Sequence, residues 1–168
     1  MRRRLLLALP AAISALGLAG CGFQLRQAPN YAFTTIFVRV AEASSLGIEL
    51  KRNIKASGKV EVITDPAKLA TAQVVLEVLQ DQREKTVASL TSSGQVREFQ
   101  LRVRMKFRLR TPDGKELIPD SEIVQQRDIS YSESTALSKE AEEQLLYRSM
   151  QTDVVQQIMR RLGSVKEL

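Results

Sequence analysis

Few residues in this chain are equipped for covalent chemistry. There is one thiol, Cys21, and there is no histidine. A single cysteine cannot form an internal disulfide. Without imidazole the chain lacks the side chain that most readily moves protons near neutral pH. No Gly-rich phosphate loop is present, and no two carboxylates are paired in an apolar setting that would raise a pKa. An active site needs those roles filled, so the sequence predicts a non-enzyme with no metal and no cofactor. The side chains left for binding are cationic. Arg102, Arg104, Lys106, Arg108 and Arg110 recur at every second position. On a strand that spacing makes a stripe roughly 27 Å long. Such a stripe suits a phosphorylated lipid or an acidic partner, and it equally suits a solvated sheet face balanced by acids on neighbouring strands. A further cation, Lys139, falls at the start of an expected helix, where the dipole opposes it.

Cys21 closes a patterned N-terminus. Arg2, Arg3 and Arg4 form a positive head, Leu5 to Leu18 an apolar run, and small residues lead to the cysteine. The order is that of a secretory signal, and the run is short for a bilayer span. The ending Leu18-Ala19-Gly20-Cys21 resembles the lipobox of bacterial lipoproteins. That resemblance implies acylation of the thiol, cleavage before Cys21 and acylation of the new amine. The expected organisation is a signal peptide over 1–20, an acylated tether over 21–33 and one domain over 34–168. Each buried methylene contributes about 0.8 kcal/mol, and two or more acyl chains anchor stably. Gly22 stands where an aspartate would imply inner-membrane retention, so the same resemblance implies the outer membrane. The precursor carries 25 Lys and Arg against 19 Asp and Glu. Losing Arg2, Arg3 and Arg4 leaves 22 against 19, a net charge of +3. That balance does not call for nucleic acid.

The elements follow from periodicity. Thr34 to Val40 is rich in β-branched and aromatic residues and predicts a strand. Ser44 or Ser45 caps a helix that Gly58 ends, with Leu46, Leu50 and Ile54 as its apolar stripe. Val60 to Thr64 predicts a second strand, parallel to the first through a right-handed crossover. A long hairpin then turns at Ser92-Ser93-Gly94, its polar stretch Gln80 to Lys85 expected to project from the body. Its return strand alternates strictly, Phe99 to Leu109 on one face and the cations on the other. With a two-residue tip, Glu77 and Asp81 fall on the basic face, opposite Arg108 or Arg110 and Arg104 or Lys106. Thr111 to Gly114 is a turn, and Glu116 to Tyr131 a strand broken near Pro119. A last helix runs from about Lys139 to Leu162, with Glu140, Glu142 and Glu143 in its first turn and Gly163 as its stop. The fold class is α+β, a two-layer sandwich. Its mixed, mostly antiparallel sheet has four or five strands, with two helices on one face.

Several short motifs, in order, resemble the LptE family of lipopolysaccharide-assembly lipoproteins. They are Cys21-Gly22-Phe23-Gln24-Leu25-Arg26, then Lys51-Arg52-Asn53-Ile54 with Gly58 and Val60-Glu61-Val62. Gly94-Gln95 with Phe99-Gln100-Leu101 follows, then Ala136-Leu137-Ser138-Lys139-Glu140 and Arg160-Arg161-Leu162. The resemblance implies an outer-membrane lipoprotein, lipid-anchored on the periplasmic side, that plugs the lumen of the LptD β-barrel. It would help that barrel assemble, bind lipopolysaccharide and help deliver it to the outer leaflet. Lys139 matches a basic family position linked to that binding. The tip departs from the family, with Ser92 and Ser93 where relatives often carry a basic residue. That shifts the expected contact to Arg97 or to the face of Arg102, Arg104, Lys106 and Arg108. The competing reading is a pilotin-like structural lipoprotein for another outer-membrane complex.

Overall fold

The computed structural model describes residues 30–132, 134 and 136–168. The expected signal segment, Cys21 and the expected tether up to residue 29 lie outside the described residues.

Among the described residues, five strands and two α-helices follow in chain order: β1 (Thr35–Arg39), α1 (Ser45–Ala56), β2 (Glu61–Ile63), β3 (Val74–Leu90), β4 (Val96–Arg110), β5 (Glu116–Ser130) and α2 (Ala136–Ser164), with a 3-10 turn at Pro66–Thr71. The sheet order is β2-β1-β3-β4-β5. β1 pairs in parallel with β2 and β3, while β3, β4 and β5 form an antiparallel meander. The sandwich expected from periodicity is the observed fold, with five strands in a mixed sheet.

Local sequence sets each helix. Ser44 accepts a hydrogen bond from the Gly47 amide and caps α1, and Gly58 adopts φ +69° just past its end, the left-handed stop that glycine favours. Gly47 faces Val40 so closely that a Cβ there would sit 2.6 Å from Val40 Cγ1. α1 buries Leu46, Leu50 and Ile54, and α2 buries Met150, Val154, Val155, Ile158 and Leu162. These pack with Ile36, Val38, Leu76, Leu101, Val103, Met105, Phe107 and Leu109 into the main core. Apolar burial at roughly 25 cal/mol per Å² is the driving term. Where α1, α2 and β3 meet, buried Gln151 ties the layers together. Its Oε1 accepts from Ser45 Oγ and from Arg83 Nη2, both at 2.7 Å, and its Nε2 donates to Glu49 at 2.6 Å.

Four expectations are corrected. Phe33, assigned to the tether, is only 2 % exposed and belongs to the core. The hairpin tip is at Ser92-Ser93-Gly94 as expected, but it holds three residues and not the two on which the expected pairing was conditional: Thr91 and Gln95 are bonded across it at 2.8 Å, and Gly94 takes φ +81°. α2 begins at Ala136 and runs through Gly163 to Ser164, so no acid lies in its first turn. Finally, 80–85 does not project. Though 81–83 and 85 are exposed, Tyr147 of α2 donates to the Glu84 carbonyl at 2.8 Å, and Arg83 and Lys85 bond Gln151 and Glu143 of the same helix.

Candidate functional site

β4 is the ruler for the candidate cations. Its odd residues from Leu101 to Leu109 are buried under the helices, so pleat geometry sends the even residues to the opposite, open face. Arg102, Arg104, Lys106, Arg108 and Arg110 therefore share one face, as the alternation predicts. The acids expected beside them are only partly those observed. Glu77 does lie opposite Arg108. A register shift between Val78 and Gln80 then inverts the following residues, so that Asp81 pairs with Met105 and points to the helix side. There it accepts from Ser44 Oγ at 2.8 Å. Gln82 and Gln80 lie opposite Arg104 and Lys106, where Asp81 was expected, and Glu84 lies opposite Arg102.

The ion pairs divide the stripe into two unequal parts. In the middle, Arg104 bonds Glu122 at 3.0 Å and lies 3.7 Å from Glu84, while Arg102 lies 3.6 Å from Glu84 and donates to Gln100 at 2.9 Å. Two arginines here face two acids. The Nε–H groups of Arg102 and Arg104 are buried without a hydrogen-bond partner among the described residues. Lys106 is exposed, in register with Gln80 on one side and Glu122 on the other. At the far end, Glu77 is 3 % exposed and accepts from three guanidinium groups: Arg39 Nη1 at 2.9 Å, Arg108 Nε at 2.6 Å and Arg110 Nη2 at 2.9 Å. The Arg110 hydrogen bond above all, with that of Arg108 and the charge of both, holds the Glu77 carboxyl down at about 2 against the opposing effect of burial. The same bond raises the Arg108 pKa.

Lys139 and Arg97 belong elsewhere. Lys139 is not the bare cation of a first turn. Its Nζ donates to Ser130 Oγ at 3.1 Å and pairs with Glu142 at 2.8 Å. It lines a cleft of about 140 Å³ with Lys85, Phe99, Tyr131, Glu140 and Glu143. Lys85 bonds Glu143 at 2.7 Å and sits 4.3 Å from the Phe99 ring centroid. Arg97 is exposed beside the tip, its carbonyl accepting from the Tyr131 amide at 2.8 Å. The structure thus unites Arg102, Arg104, Lys106, Arg108 and Arg110 and does not bring Lys139, or Arg97 at the start of β4, to them.

Arg39, Glu84, Glu122 and Lys85 were not singled out from the sequence. Arg39 had a signal, since it follows Phe37 with strand parity, but using it requires knowing that β1 pairs with β3. Among the described residues there is no group of His, Cys, Asp and Glu suited to a metal, and no helix long and apolar enough to cross a membrane.

Comparison with known proteins decides the family. The family model for LptE, lipopolysaccharide-assembly, matches residues 33–162. The chain belongs to the LptE family. It is thus a lipopolysaccharide-assembly lipoprotein by family, and the matched span includes all five strands, α1 and α2 up to Leu162. Among solved structures it is similar to lipoprotein B from Nitrosomonas europaea, at 32% identity and TM-score 0.73, over 85% of this chain and 91% of that one. It is also similar to the rare lipoprotein B from Shewanella oneidensis, at 27% identity and TM-score 0.63, covering 78% and 95%. A minor lipoprotein from Acinetobacter baumannii shares the fold at 18% identity and TM-score 0.63, covering 80% and 94%. No curated protein matches the sequence.

Proposed function

We propose that this LptE-family chain is matured at Cys21, acylated there and held at the outer membrane. Its domain then lies on the periplasmic side and in the lumen of an LptD barrel, which it plugs and helps assemble. In this reading it also binds lipopolysaccharide and assists its delivery to the outer leaflet. The work is assembly and binding rather than catalysis, with no cofactor. The observation that carries the reading is the family match from Phe33 to Leu162. The lipobox pattern before Cys21 supports the anchor, since dual acylation gives stable attachment. Lys139, Arg97, Arg102, Arg104, Lys106 and Arg108 remain the proposed lipopolysaccharide contacts, because cations recognise phosphate through charge-assisted hydrogen bonds. The test is a pull-down of the tagged chain from detergent-solubilised outer membrane. LptD is the expected partner. Recovery of another outer-membrane complex in its place would overturn the reading in favour of a pilotin-like role.

A further inference from the structure

Arg39, Glu77 and Arg108 are direct cross-strand neighbours on β1, β3 and β4, with Arg110 one step further along the same face. Both oxygens of Glu77 are occupied, Oε1 by Arg39 and Arg110 and Oε2 by Arg108. One buried acid therefore serves three cations. Asp120 and Glu116 are the other acids in reach. Asp120 lies 3.9 Å from Arg108 and is 66% exposed, and Glu116, in register with Arg110, is exposed as well, so water screens both. In the middle of the stripe Arg102 and Arg104 face Glu84 and Glu122, and the remaining cation is the exposed ammonium of Lys106, which has no planar fork.

Donor bookkeeping points the same way. A guanidinium offers five N–H donors. Arg110 spends Nη2 on Glu77 and directs Nη1 at the Thr111 and Pro112 carbonyls. Arg39 gives only Nη1 to Glu77, and Arg108 only Nε. Their side chains are 54% and 35% exposed, so the unused N–H groups stand at the surface. A buried carboxylate that already holds two forks spares an incoming ligand the cost of ordering them.

We infer that Arg39, Arg108 and Arg110, gathered on Glu77, form a binding site for a phosphate-class dianion on the open face of the sheet. Planar guanidinium forks match phosphate oxygens in pairs, which a lysine does not. The site is separate from the Lys139 cleft: Phe99, which lines that cleft, is about 30 Å from Arg108 along β4 at the usual strand rise. As a lipid site it rests on the proposed lipopolysaccharide binding; as a phosphate site it does not.

The experiment uses the full mature lipoprotein in non-ionic detergent, with the arginine Nε–H resonances followed by NMR. The probes are inorganic pyrophosphate, lipopolysaccharide and dephosphorylated lipopolysaccharide. Arg39→Gln leaves two guanidinium groups on Glu77, and thermal unfolding checks that it remains folded. Pyrophosphate is expected to shift the Arg39 and Arg108 signals, and Arg39→Gln to weaken its binding about tenfold, the scale of one charge-assisted contact. Arg52→Gln, exposed on α1 and outside every proposed contact, should leave pyrophosphate binding nearly unchanged. Shifts with lipopolysaccharide but not its dephosphorylated form assign the site to a lipid headgroup, and shifts with pyrophosphate alone assign it to a soluble phosphate. Equal losses in the two variants, or unmoved Arg39 and Arg108 signals with every probe, overturn the site. Lipopolysaccharide that binds without moving those signals also overturns it, while leaving the lipid-binding reading intact.

Discussion

Glu77 concentrates most of the electrostatics at the residue scale. Its carboxyl is held at about 2 against an ordinary 4.5, chiefly by Arg110. Because the folded value lies below the unfolded one, the ionised cluster adds stability above pH 4.5 and loses it as the pH falls toward about 2. With the carboxylate 3 % exposed, about 2–3 kcal/mol is at stake, the size expected for a shift of this kind. Urea unfolding midpoints should therefore drop across that window, and Glu77→Gln should be weaker at pH 7 and flatter across it. A variant as acid-sensitive as the parent would show that Glu77 is not the group responsible. Lys139 makes a contrasting case. It is paired with Glu142 and Ser130, both on the protein's exterior, so Lys139→Asp should remain folded. The substitution is expected to weaken lipopolysaccharide binding by about 1–3 kcal/mol, the scale of a hydrogen bond to a charged group, with LptD still copurifying. Loss of lipid and barrel together would make Lys139 a structural residue.

At the scale of elements, periodicity revealed more than pairing did. The strict alternation of β4 announced both its buried and its cationic faces, and Leu46, Leu50 and Ile54 announced the buried side of α1. What stayed hidden was a shift of one residue near Leu79. No glycine or proline marks it, yet it exchanges the faces of Asp81 and Glu84, because strand side chains repeat every two residues. The partners of the cations were hidden for the same reason: Arg39, Glu84 and Glu122 meet β4 only through register across three ladders. The early start of α2 was masked by the capping character of Ser132 to Ser138. Gln151 gives this layer a direct test. It is 7% exposed and bonds Ser45, Arg83 and Glu49 at once. Gln151→Leu strands those partners, so it should cost about 1–3 kcal/mol for groups left without a bond. Thermal unfolding measures this, and an unchanged midpoint would mean that water replaces the amide without loss.

For the whole molecule the question is how anchor and domain divide the work. The core from Phe33 to Leu162 is continuous, with both helices and the sheet contributing to one buried cluster. Acyl chains, by contrast, act through burial in lipid at about 0.8 kcal/mol per methylene, and more than one chain is needed for a lasting hold. Anchoring and folding should therefore come apart. Cys21→Ala removes the thiol that the lipobox pattern offers for acylation, and with it the expected cleavage point. The variant should carry no added acyl mass, keep residues N-terminal to position 21, and unfold at the same temperature as the parent. Mass spectrometry of the N-terminus and thermal unfolding of the two proteins in one detergent make the comparison. A parent whose N-terminus lies elsewhere and bears no lipid would sink the anchor. A variant that unfolds well below the parent would instead show that the N-terminal segment takes part in the fold.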